Sequence, residues 1–509
     1  MGSTFILGDR TVSSAELEDL AARAAAGLHA MGVRPGDAVA WLLRNDTPIF
    51  EATLAIQRLG ASVVPINWHF SAEEVAYVLQ DSGVKALVVH SDLLARISAE
   101  LPSGLQTLVV PTPEAIAVAY KTNPDHCAAP TGATVWSDWL QQFEPRQEPA
   151  PRAPTRMMYT SGTTGRPKGV KREPPTDEQT KRVQARAGVV MGHRADMRTI
   201  VCGPAYHAAP NSYANLAMAF GATIVLQPRF DAEELLALIE HHRITGMFMA
   251  PIMFVRLLRL PEETKQRYDI SSLEHIIHAG ATCPPNVKRD MIDWWGPIIH
   301  EFYGSTESGM ITHCDSEQAL THPGTAGRPV ESATVRIYRE DGSEADVGEP
   351  GEVYMWSTDN PEFTYHNDPE KRRSIDRDGL ITNGDVGYFD EDGFLYICDR
   401  VSDMVISGGV NIYPAEIEAA ILDFPGVRDC AVFGIPDDEY GEAVAALVEP
   451  QAGGTILEAS LRAHLAKHLA KYKVPRLIEF RADLPREDTG KIFKRKLREP
   501  YWIAAGRNI

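Results

Sequence analysis

The sequence lacks the features that mark several large classes of protein. Its 509 residues include only six cysteines, scattered without a C-x-x-C pair, which fits neither a disulfide framework nor a zinc site. No window approaches the roughly 18 consecutive apolar residues of a membrane span, and the first residues lack the basic and apolar regions of a signal peptide. We therefore expect a cytoplasmic protein whose cysteines are buried free thiols.

Positive charge is also scarce. Lys and Arg number 50 against 69 Asp and Glu, which gives a formal net charge of -19 at pH 7. Because contacts to nucleic-acid phosphates need a basic surface, nucleic acid is not an expected partner. A small anion can still bind in a local basic pocket. The sequence is compatible with a homodimer but does not determine the oligomeric state.

The composition is otherwise that of an ordinary folded protein. Hydrophobic residues make up 44% of the chain and charged residues 23%, which is typical of globular proteins and not of collagenous, disordered or coiled-coil chains. A single hydrophobic core stops growing at about 250 to 300 residues. The length therefore predicts at least two domains.

The first two thirds of the chain alternate helical and strand patterns. Ser13 with Glu16, and Ser71 with Glu74, have the spacing of a capping box and predict helix starts. Gly32 predicts the end of the first helix. Short apolar runs predict strands at DAVAWLL, VKALVVH, TIVCGP, ATIVL, MFMAP and EHIIHAG. This alternation predicts parallel sheets covered by helices on both faces.

The pattern changes at about Ala333, where β-rich segments with tight turns begin, and the Asp392-Gly393 pair predicts a hairpin. After residue 400 a small α/β pattern follows, with predicted strands MVIS, CAVFGI and AVAALVEP and predicted helices PAEIEAAIL and LEASLRAHLAKHLA. We therefore predict an α/β fold. A large N-terminal domain of mixed sheets flanked by helices, plus a β-rich subdomain, takes residues 1–399. A small α+β C-terminal domain takes residues 403–509.

A loop rich in glycine and hydroxyls lies within MMYTSGTTGRPKGVKR, residues 157–172. It does not fit the P-loop pattern G-x-x-x-x-G-K-[ST], because Pro167 stands five residues after Gly162 and Gly169 follows Lys168. Its hydroxyls and N–H groups can still surround phosphate oxygens, with Lys168 supplying positive charge. A plain surface turn is the commoner meaning of a Gly/Ser/Thr cluster alone, but the whole string favours phosphate binding.

Six further segments follow this loop in order: YHAAPN, HAGA, EFYGSTE, TNGDVGYFDEDGFLYICDR, SGGVNIYPAEIE and PREDTGKIFKRKLR. Together with residues 159–170, called the phosphate loop from here on, they resemble the signature segments of the adenylate-forming enzymes. That family contains the acyl- and aryl-CoA synthetases, luciferases and adenylation domains. The resemblance covers essentially the whole chain, and seven segments in one order are a specific match.

The resemblance implies an ATP site. Tyr303 is expected on the adenine face, Thr306 at the α-phosphate, and Glu307 as the Mg2+ ligand, since magnesium prefers hard oxygens. Asp385 is expected to accept both ribose hydroxyls, with Arg400 also at the ribose. The full implied set is Thr160, Ser161, Gly162, Thr163, Thr164, Lys168, Gly280, Ala281, Glu301, Phe302, Tyr303, Gly304, Ser305, Thr306, Asp385, Arg400 and Lys491.

The resemblance also implies a catalytic set of Lys491, Thr306, Glu307 and His207. Lys491 is expected to bridge the substrate carboxylate and the α-phosphate, neutralising charge where two anions must meet. A mobile C-terminal domain would then turn about a hinge at residues 400–402 and present Ser407, Gly408 and Gly409 to coenzyme A. The family usually has Asp or Lys where this chain has Ser402, so the balance of that rotation is open.

The acyl pocket implied by the resemblance contains His207, Ser212, Met249, Gly280, Ala281, Gly304 and Met310. Acetate-activating relatives close the pocket with a bulky Trp at the position of Gly304, so glycine is expected to leave it open. Together with Met247, this favours a large, mostly apolar acid, since thioethers adapt to irregular pockets. Methionines at such positions are equally common in plain cores. Fatty, aryl and polycyclic acids all stay open.

The sequence therefore predicts an ATP-dependent, AMP-forming carboxylic acid:CoA ligase that uses ATP, Mg2+ and coenzyme A. The alternatives are an enzyme that loads a carrier protein, a luciferase-type oxidase, and a binding module without catalysis. Residues 492–509 are too few for a carrier domain, and the SGGVNIYP segment resembles the CoA-ligase form. A kinase would need the P-loop pattern, which is missing.

Overall fold

The computed structural model describes residues 2–148, 156–160, 167–400, 403–407, 410–451, 453–454, 456–486 and 492–505. The α-helices in these ranges are α1 Ser14–Ala30, α2 Pro48–Arg58, α3 Ala72–Asp81, α4 Ser91–Ile97, α5 Glu114–Tyr120, α6 Trp136–Leu140, α7 Asp177–Val189, α8 Ala208–Ala219, α9 Ala232–His242, α10 Pro251–Leu258, α11 Glu262–Arg267, α12 Pro285–Trp295, α13 Ser316–Thr321, α14 Pro369–Ser374, α15 Pro414–Leu422, α16 Glu458–His468 and α17 Lys494–Ala504. Short 3-10 helices are Ser98–Glu100, Pro124–His126 and Lys471–Lys473. None of these helices is long and apolar enough to cross a membrane.

The strands in the same ranges are β1 Thr4–Leu7, β2 Arg10–Ser13, β3 Ala38–Leu42, β4 Ser62–Pro65, β5 Ala86–His90, β6 Gln106–Val110, β7 Thr134–Val135, β8 Met157–Thr160, β9 Lys168–Arg172, β10 Arg198–Val201, β11 Thr223–Leu226, β12 Gly246–Met249, β13 His275–His278, β14 Ile299–Ser305, β15 Gly309–Cys314, β16 Arg328–Pro329, β17 Ala333–Tyr338, β18 Gly351–Ser357, β19 Phe363–Tyr365, β20 Asp376–Arg377, β21 Leu380–Phe389, β22 Leu395–Arg400, β23 Val405–Ser407, β24 Val410–Ile412, β25 Val427–Asp437, β26 Gly441–Pro450 and β27 Leu477–Phe480.

The helix starts follow the sequence signals. Ser13 Oγ accepts a hydrogen bond from Glu16 N at 3.2 Å at the start of α1, and the chain turns at Gly32 with φ +94° just beyond its end. Ser71 and Glu74 form a reciprocal capping box at α3. The predicted starts of both helices are confirmed.

Two sheets hold the apolar core of the N-terminal part. One has the order β4-β3-β5-β6-β7 and is parallel throughout. The other has the order β16-β15-β14-β13-β12-β10-β11-β1-β2, parallel from β14 to β1 and antiparallel at both edges. One apolar cluster runs between them, with the Phe5 and Phe50 rings 4.6 Å apart. The predicted parallel sheets are confirmed.

Two details of these sheets differ from the sequence prediction. The strand predicted to run to residue 251 ends at Met249, because Pro251 occupies the first turn of α10, where its missing N–H costs nothing. The hairpin of β1 and β2 had no prediction. It joins the large sheet through pairing with β11, a partner that lies more than 200 residues away.

The β-rich part contains the antiparallel order β17-β18-β21-β20, with β22 paired to β21. The predicted hairpin at Asp392-Gly393 is present, but its loop is longer than a two-residue turn. Asp390 Oδ1 accepts the backbone N–H groups of Asp392 and Phe394, at 3.1 and 2.8 Å, and so closes a loop of residues 390–394. A further antiparallel sheet, β19-β9-β8, carries the two ends of the phosphate loop.

The C-terminal part has a sheet and a core of its own. Its strands are ordered β24-β23-β26-β25, with β27 parallel to β26, and an apolar cluster including Val405, Ile417 and Leu461 lies beneath α15 and α16. Asp399 Oδ2 accepts the N–H of Ala415 at 2.8 Å, which ties α15 to the end of β22. The predicted fold class, a large α/β domain followed by a smaller one, is confirmed. The hinge and the mobility stay predictions.

Asn45, in the loop between β3 and α2, joins the two N-terminal sheets. Its fully buried amide donates to the carbonyl oxygens of Gly203 and Gln227, both at 3.0 Å. Its Oδ1 accepts the N–H of Ala205 at 3.0 Å. These groups follow β10 and β11, so one side chain satisfies the backbone at the carboxyl ends of two strands. The turn it holds leads into α8.

Three histidines stack across neighbouring strands of the large sheet. The rings of His275 and His300 lie 4.0 Å apart, and His300 Nδ1 lies 3.2 Å from His313 Nε2. His275 Nε2 lies 2.9 Å from the carbonyl oxygen of Val190. Burial, reinforced by the neighbouring rings, lowers the pKa of His275 to about 4 and that of His300 to about 3. The row is therefore neutral in the folded protein at neutral pH.

This row predicts that the protein loses stability as the pH falls. An unfolded histidine titrates near pH 6.5, so below that pH the unfolded chain takes up protons that the folded chain refuses, and the free energy of unfolding decreases towards pH 4. We expect His300→Phe to make urea unfolding less dependent on pH between 6.5 and 4. The exposed His126→Gln should leave that dependence unchanged. Equal curves for His300→Phe and wild type would contradict the assignment.

Candidate active site

The turn between β14 and β15 carries Thr306 and Glu307. Ser305 Oγ accepts the N–H groups of Glu307 at 3.1 Å and Ser308 at 3.0 Å, so the turn is closed by its own hydroxyl. Ser305 Oγ also donates to Asn383 Oδ1 at 3.2 Å, which connects the turn to β21. The sequence EFYGSTE thus folds into a fixed corner.

Arg172, at the end of β9, stabilises this turn through hydrogen bonds to its backbone. Its Nη2 donates to the carbonyl oxygens of Thr306 and Glu307, both at 2.7 Å, and its Nη1 donates to the Pro361 carbonyl at 2.8 Å. Burial lowers the pKa of the Arg172 guanidinium to about 10, which leaves it charged at neutral pH. Because β9 contains the last residues of the phosphate loop, Arg172 connects that loop to the Glu307 turn. The sequence analysis missed this residue.

The Glu307 side chain has a partner of its own. Glu307 Oε1 accepts the hydroxyl of Tyr365 at 3.1 Å, and burial together with this carboxylate raises the pKa of Tyr365. Lys168 Nζ lies 5.8 Å from the Tyr365 ring centre and 3.2 Å from Asp368 Oδ2. The described residues contain no cluster of three potential metal ligands. A single carboxylate suits magnesium, which is bound at such sites largely through substrate phosphates and water.

Tyr303, Asp385 and Arg400 form one hydrogen-bonded unit. The Tyr303 hydroxyl donates to Asp385 Oδ2 at 2.6 Å, and Arg400 Nε donates to Asp385 Oδ1 at 3.1 Å. Burial, together with the Asp385 charge, raises the pKa of Tyr303 well above its usual value, so its hydroxyl stays a donor. Both carboxylate oxygens are therefore oriented, and each keeps room for a further hydrogen bond.

Glu301 and Phe302, which are neighbours on β14, have different surroundings. The Glu301 carboxylate forms an ion pair with Lys288 of α12, and His278 Nε2 lies 3.8 Å from it. Burial raises the pKa of Glu301 against the lowering effect of Lys288. Its carboxylate is thus engaged by α12, and a role of Glu301 in binding ATP stays a prediction. Phe302 packs against the apolar cluster between the two N-terminal sheets, with its ring 6.2 Å from that of Phe248.

The predicted acyl-pocket residues do not all share one face. Met247 and Met249 are completely buried in the cluster beneath α9, α10 and α12, so they are plain core, as the alternative interpretation held. Strand alternation puts Phe248, which the sequence analysis missed, on the opposite face with Phe302. Met310 is buried in the same cluster as Phe248.

Gly304 is glycine for a packing reason. A Cβ built there would lie 1.8 Å from the Gly309 carbonyl oxygen, at the bulge where β14 and β15 meet. A side chain at this position would require the turn to shift, and the role of Gly304 in pocket size stays a prediction. Gly280 has φ +92° and open space where a Cβ would stand, and Ala281 follows it. Small residues let a ligand approach the backbone closely, and this role of residues 280–281 stays a prediction.

The start of α8 contributes His207 and Ser212. His207 is the N-cap residue, and its ring lies 4.2 Å from that of Tyr206. Ser212 Oγ accepts a hydrogen bond from Arg156 Nη1 at 3.1 Å. Ala208, Ser212 and Asn215 are half-buried, whereas Tyr213 and Ala214 on the other side of the helix are fully buried. The half-buried residues form one stripe along α8.

Several predicted site residues lie outside the described ranges: Ser161, Gly162, Thr163, Thr164, Ser402, Gly408, Gly409 and Lys491. Their flanks are described. Thr160 pairs with Lys168 in the sheet of β8 and β9, so the two ends of the phosphate loop meet. Ser407 pairs with Val410 and Gly441 in the C-terminal sheet.

The chain matches two family models, "AMP-binding enzyme" over residues 2–360 and "AMP-binding enzyme C-terminal domain" over residues 416–491. It is 34% identical over 496 residues to a feruloyl-CoA synthase of an Amycolatopsis species, covering 97% of this chain and 95% of that protein. It is 33% identical over 497 residues to the long-chain-fatty-acid–CoA ligase FadD13 of Mycobacterium tuberculosis, covering 97% and 94%. The structure of an anthranilate CoA ligase in complex with anthranoyl-AMP has 26% identity and a TM-score of 0.85, covering 99% of this chain and 94% of that one.

The oriented carboxylate of Asp385 predicts a measurable loss of nucleotide binding when its charge is removed. Asp385→Asn can still accept the Tyr303 hydroxyl but offers a weaker acceptor to a ribose. Hydrogen bonds to charged groups are worth about 1.5 to 3 kcal/mol, so the Kd for AMP should rise by about 10- to 150-fold in calorimetric titration. The exposed Glu391→Gln in the β21–β22 loop should bind AMP as the wild type does. Wild-type affinity in Asp385→Asn would contradict this role.

Proposed function

The chain belongs to the AMP-binding enzyme family, and we propose that it is an AMP-forming carboxylic acid:CoA ligase that acts through an acyl-adenylate. The observation that carries this proposal is the Asp385 carboxylate, oriented by Tyr303 and Arg400 beside the Thr306–Glu307 corner. A ribose and a polyphosphate need these two features next to each other. Relatives named as a CoA synthase and a CoA ligase match this chain over nearly its whole length, which supports coenzyme A as the acceptor.

In the first half-reaction, a carboxylate oxygen of the acid attacks the α-phosphorus of ATP, and the bond to the β-phosphate oxygen breaks. Pyrophosphate leaves, and an acyl-adenylate remains. We assign the charge neutralisation at the α-phosphate to Lys491 and Thr306. Glu307 would hold Mg2+, which supplies positive charge at the phosphates. Arg172 would keep Thr306 and Glu307 in place for this step.

In the second half-reaction, the thiol of coenzyme A gives up its proton and attacks the acyl carbon, and AMP leaves. We assign the approach of the thiol to the segment of Ser407, Gly408 and Gly409, presented by a turn of the C-terminal domain about residues 400–402. The substrate that we propose is a large acid with a mostly apolar body, of fatty, aryl or polycyclic type. Phe248 and Phe302, on the α8 side of the sheet, support an apolar pocket.

The proposal predicts which nucleotide accumulates. With a panel of fatty, aryl and polycyclic acids, ATP, Mg2+ and coenzyme A, we expect AMP, pyrophosphate and an acyl-CoA in equal amounts. ADP would indicate a kinase, and AMP formation that needs a carrier protein would indicate the alternative acceptor. Nucleotide binding without any product would indicate a binding module.

The role assigned to Lys491 predicts separate effects on the two half-reactions. Lys491→Ala should lower acid-dependent exchange of pyrophosphate into ATP by about 100- to 1,000-fold, the usual cost of one preorganised charge. Thioester formation from supplied acyl-adenylate should stay near the wild-type rate. The neighbouring Lys496→Ala, on α17, should change neither rate. Equal loss of both half-reactions in Lys491→Ala would overturn the role.

A further inference from the structure

Arg156 is a half-buried cation that the proposed reaction does not use. It lies directly before β8 and forms a bridge with Val63, beside the five-stranded sheet. Its Nη1 donates to Ser212 Oγ at 3.1 Å, while its Nε is sealed from solvent and has no hydrogen-bond partner in the described part of the chain. A guanidinium with one neutral partner has most of its donors unused.

The charge of Arg156 is also uncompensated. Arg44 lies 2.8 Å from Asp92 and Arg186 lies 2.7 Å from Asp359, whereas Arg172 has three backbone carbonyls in place of a carboxylate. Within the residues that the structure describes, no carboxylate is within ion-pair distance of Arg156, and burial alone lowers its pKa, to about 10. The adjoining sequence, residues 149–155 and 161–166, contains no Asp or Glu.

A cation that is partly removed from water and has no counter-ion is unfavourable. Such a group persists where a ligand supplies the missing anion. The nucleotide phosphates are too far away to do so, because Arg156 precedes β8 and the phosphate loop follows its other end. Four residues of extended strand separate Arg156 from Thr160, which is roughly 13 Å.

The partner of Arg156 locates the missing anion instead. Ser212 belongs to the half-buried stripe of α8, whose first member is Ala208, the residue after the His207 N-cap. Ser212 comes five residues after His207, so it lies roughly 7 to 8 Å farther along the helix axis. A ligand that runs along this stripe from the start of α8 would bring its far end to Arg156.

We propose that Arg156 binds a second carboxylate of the substrate acid, at the end opposite the carboxyl that is activated. This inference rests on the proposed function, with the acyl group lying along α8. The substrate class is then an acid with an apolar body and two carboxylates separated by roughly 7 to 8 Å, the span of about five or six methylene groups. The fork of the Arg156 guanidinium matches a carboxylate in two parallel hydrogen bonds, and Ser212 can donate a third.

The test compares matched acids on wild type and variants. Wild-type enzyme is assayed for AMP release with α,ω-dicarboxylic acids of six to twelve carbons, with the monocarboxylic acids of equal length, and with ω-keto acids of that length. We expect the diacids to have the highest kcat/KM. Arg156→Met should lower kcat/KM for the best diacid by about 10- to 150-fold, the worth of a charged hydrogen-bonded contact, mostly through KM. It should leave the monoacids unchanged or improved.

Two further variants separate recognition from folding. Arg156→Lys keeps the charge and should retain part of the preference for diacids. The exposed Arg373→Met, whose side chain pairs only with Glu370 among the residues the structure describes, should retain all of it. Removing a half-buried charge that has no counter-ion should not lower the melting temperature, so Arg156→Met should melt at or above the wild-type temperature.

The outcomes are distinct. Wild-type preference for monoacids over matched diacids would overturn the inference, and so would an equal loss for both in Arg156→Met, which would indicate a structural role. Equal activity with ω-keto acids and diacids would overturn the assignment of an anionic group. In all these cases AMP is still formed, so the proposed function stands. If no AMP is formed with any of these acids or with the fatty, aryl and polycyclic panel, the proposed function itself is overturned.

Discussion

The buried amide of Asn45 is the contact on which the arrangement of the site depends. Two parallel sheets end at this point, and the carbonyl and N–H groups of the loops that leave their strands have no ladder partner. Asn45 satisfies three of them at 3.0 Å each. Because the loop that it holds becomes the first turn of α8, the direction of that helix over the sheet is set by one side chain from the other sheet.

Two polar contacts on one face tie the strand β14 to its neighbours. Glu301 pairs with Lys288 of α12, and Tyr303, two residues farther along, donates to Asp385 of β21. Arg172 then fixes the turn at its end through two carbonyl groups. Buried charges are costly unless they are paired, so each pair restricts the strand to one position. A ligand that meets Tyr303 and Thr306 therefore meets groups that are already ordered.

Local signals predicted local structure well. The caps at Ser13 and Ser71, the parallel strands and the Asp392-Gly393 hairpin all follow from residues close in sequence. Contacts between distant segments could not be predicted from one sequence, because Arg172 reaches a turn more than 130 residues away and nothing near it marks the partner. The face of a strand residue was predictable in principle, since alternation separates Phe248 from its methionine neighbours.

Arg400 has a second consequence through its place in the chain. It is the last residue of β22, paired in register with Asp385, and the described chain resumes at residue 403. If the C-terminal part turns at residues 400–402, as the sequence predicts, the turn begins at a residue that already donates to Asp385. A nucleotide bound at Asp385 would restrict the position of Arg400, at the end of β22, without contacting the C-terminal domain. The direction in which that domain turns would then depend on whether the nucleotide site is occupied.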